Sequence, residues 1–67
     1  MSDDPEAAHE RDAIQYMMRR LVGFARGLGL DKAVTRRIAE LVAADMPVHT
    51  DEERLAAARQ RMIMASA

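Results

Sequence analysis

Along the first half of the chain, apolar residues return at three- and four-residue steps. Ile14, Met17, Met18, Leu21, Phe24, Ala25 and Leu28 make one broad helical stripe, with Asp12, Gln15, Arg19, Gly23 and Arg26 on the opposite side. Asp4 before Pro5 reads as an N-cap followed by proline at the first helical position, where its missing N–H costs nothing. Glu6 and Glu10 suit the positive end of the helix dipole, and no further proline interrupts before Pro47. Gly23 lowers helix stability by roughly 1 kcal/mol relative to alanine, but on an outer face it need not break the helix. The pattern predicts a long first helix over about residues 5–26, preceded by a flexible lead-in at 1–4.

The run Gly27-Leu28-Gly29-Leu30-Asp31 then forms a corner. Gly27 or Gly29 supplies a left-handed residue, Leu28 or Leu30 folds back as the apolar contact of the C-cap, and Asp31 caps the next helix. That second helix is expected over 32–46, with Val34, Ile38, Leu41, Val42 and Asp45 as its stripe. Lys32, Arg36, Glu40 and Ala43 are expected to face outward. Pro47 disfavours helical backbone just before it and so ends the element near Met46. Thr50-Asp51-Glu52-Glu53 has the form of a capping box and opens a third helix over 51–64. Its stripe is thin: Leu55, Ala58 and Met62, with Ile63 at the border. No alternating apolar/polar run of strand type occurs. The expected fold is all-α, a small three-helix domain over residues 5–65 with short connections that favour antiparallel neighbours.

Sixty-seven residues make one domain at most. A chain of this length buries only ~60 % of its unfolded surface, so its core is marginal. Without cysteine, neither a disulfide nor a thiolate metal site is available. Close packing and self-association remain as stabilisers. The first stripe is also wider than one 14-residue helix can cover, so completion by a homodimer or a protein partner is expected. No run is long enough for a membrane span and the acidic start is unlike a signal peptide, so the expected compartment is cytoplasmic.

The net charge of −1 hides an uneven distribution. Residues 1–12 carry five acids against one arginine, while residues 13–44 carry five arginines and one lysine against Asp31 and Glu40. The basic middle of the chain would attract an acidic partner or a phosphate backbone, and the acidic first arm could repel or shield what that middle attracts.

Candidate chemistry is sparse. Glu6-x-x-His9 has the spacing of half a carboxylate-bridged di-metal site, but the facing carboxylates such a site needs are missing from the inward stripes. His49 stands in the Pro47–Thr50 loop without a second ligand nearby. Ser2 and Ser66 lie near the chain ends, while Thr35 and Thr50 have helical and capping roles. The glycines lack the lysine-serine pair of a phosphate loop. No metal, cofactor, small-molecule substrate or catalytic activity is expected.

The methionines say more. Met17 and Met18 lie on the main stripe, Met46 ends the second helix, and Met62 and Met64 belong to the third. Unbranched thioethers fill gaps in a small core and also make deformable docking surfaces. The leading functional expectation is a small regulatory or accessory protein. It would contact a partner through Met17, Met18, Leu21, Phe24 and Leu28, with arginines steering an acidic surface.

The corner carries an alternative. Phe24-Ala25-x-x-Leu28-Gly29-Leu30, followed by Ala33 and Ile38, fits much of the helix-turn-helix pattern. Leu28-Gly29-Leu30-Asp31-Lys32 with Val34-Thr35-Arg36 resembles the start of the recognition helix in MarR-type repressors. The resemblance covers about a dozen residues and implies a dimeric DNA-binding regulator using residues 24–41. On that reading Lys32, Ala33, Arg36, Arg37 and Glu40 would face the major groove, and Arg19, Arg20 or Arg26 would hold phosphates. Two features depart from the family. Val34 sits one position early, leaving Thr35 where a buried aliphatic is expected, and no strand pair supplies a wing. The near-zero net charge also differs from the basic footprint of DNA binders.

Overall fold

The computed structural model describes residues 5–67, with side chains from residue 9 onward. The lead-in at 1–4 and the side chain of Glu6, half of the Glu6/His9 spacing, lie outside the described residues. Three helices follow in order: α1 Pro5–Leu28, α2 Lys32–Asp45 and α3 Asp51–Ser66. Among the described residues there is no strand, and no helix is long and apolar enough to cross a membrane.

α1 runs two residues past its expected end, through Gly27. Gly29, not Gly27, is the left-handed residue, with φ of 73°. The Leu30 N–H donates to the Ala25 carbonyl at 3.0 Å and the Gly29 N–H to Arg26 at 3.2 Å. These two bonds are those of a Schellman cap, and half-buried Leu30 supplies its apolar contact. Asp31 then caps α2, its carboxylate accepting from the Val34 N–H at 2.8 Å. Three residues thus join the two helices.

His9, Glu10 and Ala13 share a cleft of about 220 Å³ with Ala43, Ala44 and Pro47. These residues are about four turns from the corner along α1 and about three along α2. α1 and α2 pack against each other and against α3.

The orientation of α2 corrects the expected stripe. Its buried face is Thr35, Ile38, Ala39, Val42 and Ala43. Val34 and Leu41 each remain 39 % exposed, and Asp45 is exposed. Two causes favour this rotation. Ala39 and Ala43 let the α2 backbone approach its neighbours closely, where a leucine row would hold it away. The Thr35 hydroxyl donates to the Asp31 carbonyl at 2.9 Å, so its burial to 1 % exposure strands no polar group. Thr35 therefore occupies the place where the helix-turn-helix pattern expects an aliphatic.

α3 closes the core. Leu55, Ala58 and Met62 are buried as the sequence predicts, and Ile63 is 52 % exposed. They pack with Met17, Leu21 and Ala25 of α1 and Ile38, Ala39 and Val42 of α2. The capping box at Thr50 forms in both directions: the Glu53 N–H donates to Thr50 Oγ1 at 3.2 Å, and the Thr50 N–H donates to Glu53 Oε1 at 2.9 Å. The Thr50 N–H and, second to it, the Thr50 hydroxyl donating to the same Glu53 Oε1 at 3.1 Å hold the Glu53 carboxyl below the usual carboxylate range. Arg54 secures the same link, donating from Nε to the Met46 carbonyl and from Nη2 to the Pro47 carbonyl, both at 2.8 Å. At the far end of that link Met46 caps α2, its N–H donating to the Val42 carbonyl at 2.9 Å.

Candidate docking groove

The expected partner stripe divides in two. Met17 and Leu21 have no exposed surface and belong to the chain's own core. They are core residues rather than the expected partner contacts, because α2 and α3 together cover the middle of the stripe. Met18, Phe24 and Leu28 pack against that core from its edge and stay half-buried. The six cations Arg19, Arg20, Arg26, Lys32, Arg36 and Arg37 are all exposed. Arg20 lies over the Tyr16 ring, 5.6 Å from its centroid, and Arg36 approaches Glu40 at 3.9 Å with both side chains about half exposed. The latter is a loose, solvated pair that adds little stability.

One flank of α1 is left open beside the corner. Met18, Val22, Ala25 and Leu30 floor a groove of about 590 Å³ that ends on Thr35 of α2, and Arg19, Arg26 and Lys32 line its rim. Val22 is 49 % exposed within it. The cause lies in the helical periodicity. Met18 and Val22, four residues apart, form a row beside the one that meets α2 and α3, and buried Ala25 of that core row lies at the base of the groove. Leu30 reaches the same floor because the Schellman turn folds it back over the end of α1.

The electrostatics of the rim are one-sided. Arg19, Arg26 and Lys32 take part in no ion pair among the described residues, where the pairs formed are Arg36–Glu40 and Arg61–Asp45. Lys32 also stands at the N-terminus of α2, where the helix dipole adds positive potential. Apolar floor and unpaired cations suit an occupant that brings both an apolar side chain and carboxylates.

The three cations and Met18 are among the residues expected from sequence, whereas Val22 lies off the predicted stripe. The available signal was the width of the stripe, which exceeded what one neighbouring helix covers. His9 and His49 are exposed, and no group of three potential metal-ligating side chains occurs among the described residues. No family model, curated protein or solved structure matches the chain.

Proposed function

We propose that the chain is a small cytoplasmic regulatory or accessory protein that acts by protein–protein contact through the α1/α2 groove. The observation that carries this reading is the uncovered apolar floor at Met18, Val22 and Leu30, bordered by three cations without ion-pair partners. Exposed apolar surface with a polar rim is the usual anatomy of a docking site, and cations at the rim raise the on-rate for an acidic partner. Of the stripe expected from sequence only Met18 lines this groove: Met17 and Leu21 are core, Phe24 and Leu28 pack at the core's edge outside it, and Val22, Ala25 and Leu30 take their places.

A photo-crosslinking residue at Val22, expressed in the source cells, tests the proposal against the same residue at exposed Gln60. Stoichiometric crosslinking of a protein at position 22, without the same product at position 60, is the expected result. Crosslinking to nucleic acid, or no crosslink at position 22, overturns it.

The DNA-binding reading retains one set of observations. Buried Ala25, left-handed Gly29 and buried Thr35 occupy the helix-turn-helix positions, and Lys32, Arg36 and Arg37 are exposed along α2. The near-zero net charge and the acidic first segment argue against it, since DNA binders carry a basic footprint. Salt-dependent duplex binding that disappears in the Arg36→Ala, Arg37→Ala variant would favour DNA over protein.

A further inference from the structure

The molecule also carries the complement of its own groove. Val48 is 91 % exposed, the most open large apolar side chain among the described residues, and it lies in the five-residue link between α2 and α3. Asp51, Glu52 and Glu53 follow in the first turn of α3. Glu53 is occupied by Thr50, whereas Asp51 and Glu52 take part in no ion pair or side-chain hydrogen bond among the described residues. A bare valine beside two free carboxylates matches an apolar floor rimmed by Arg19, Arg26 and Lys32 in both polarity and sign.

The link presents Val48 in a held shape. Arg54 ties the Met46 and Pro47 carbonyls just before it, and the capping box fixes the backbone just after it. Such preorganisation lowers the ordering cost of an association. The same rigidity keeps Val48 from its own groove, since the α1/α2 corner and the α2/α3 link lie at opposite ends of the 14-residue α2.

We infer that the groove is the seat of the Val48–Glu52 projection of a second copy of this chain. Val48 enters between Met18, Val22 and Leu30, and Asp51 and Glu52 meet the cations of the rim. The inference rests on the groove being a protein-docking surface and names its occupant.

Sedimentation velocity on the full chain, from micromolar to millimolar concentration at low and high salt, tests it with two charge-reversed variants. One is Arg26→Glu with Lys32→Glu; the other is Asp51→Lys with Glu52→Lys. Wild type should gain mass with concentration and lose it with salt. Each variant alone should associate about tenfold or more weakly, because like charges then face each other. An equimolar mixture should regain the wild-type association, since each reversed surface meets its complement. Val48→Ser leaves every charge and cap in place and should also weaken association, which protects the test against a misfolded variant. A monomeric wild type at millimolar concentration, variants that associate like wild type, or a mixture without recovery would each overturn the inference. A monomeric wild type together with specific protein crosslinking at Val22 removes only the second copy as occupant. Absence of protein crosslinking at Val22 removes the docking reading itself.

Discussion

At the corner between α1 and α2 the chain turns on backbone geometry, with Gly29 in the left-handed region, two Schellman bonds and one capping carboxylate. At the link between α2 and α3 it turns on charged side chains. Arg54 holds two carbonyls and Glu53 holds the Thr50 backbone, with the Arg61–Asp45 pair at 2.8 Å nearby. The difference explains where charge is left over. The link spends Arg54 and Glu53 on its own shape, whereas the corner spends only Asp31 and leaves Arg19, Arg26 and Lys32 facing solvent. A cation unused by the fold is a candidate for use by a partner.

Substitutions should separate the two kinds of turn. The largest effect is expected at the corner's backbone. Gly29→Val should cost about 2 kcal/mol or more in urea unfolding, because a β-branched residue is strained at positive φ. Gly27→Ala, by contrast, should stabilise by about 0.5–1 kcal/mol, since that glycine is helical and nothing lies within 4 Å of an added Cβ. Equal effects at the two glycines would contradict the assignment of the left-handed residue.

At the link, Arg54→Met keeps the aliphatic stem and removes both carbonyl bonds. The loss should be about 1–2 kcal/mol, reduced from the fully buried value by partial solvent access. Thr50→Ala should cost about 1 kcal/mol through the lost cap. A smaller and pH-dependent contribution comes from Glu53. Its carboxyl is depressed in the folded chain, so its stabilisation is complete above the ordinary glutamate pKa and lost as pH falls through the lower folded value. Urea midpoints followed into acid should fall more steeply for wild type than for Glu53→Gln. The smallest stability effect belongs to the rim: Arg26→Gln with Lys32→Gln should move stability by less than about 0.5 kcal/mol, because neither residue supports the fold.

How legible each part was follows from where its information sits. Helix number, the capping box at Thr50, the Asp31 cap and the inward face of α3 are local signals, and each stands in a few consecutive residues. The rotation of α2 is not local. Ala39 and Ala43 contribute little apolar surface and Thr35 counts as polar, so Val34 and Leu41 dominate any sequence pattern. Close approach to α1 and α3, together with the Thr35–Asp31 bond, reverses that order. The groove is harder still. Its cations are visible as a basic middle segment, but its floor joins Val22, one row off the main stripe, to Leu30 from beyond the turn. Met17 and Leu21 looked available to a partner because one helix's periodicity cannot show how much of its stripe two others will cover.

The most direct test of the groove and its occupant is a methyl chemical-shift titration of the full chain from micromolar to millimolar concentration. The methyls of Met18, Val22, Leu30 and Val48 should shift together along one binding curve, with those of buried Leu55 and Met62 unmoved. Shifts confined to exposed Ile63 and Met64, or Val48 unchanged while the groove methyls move, would contradict the account.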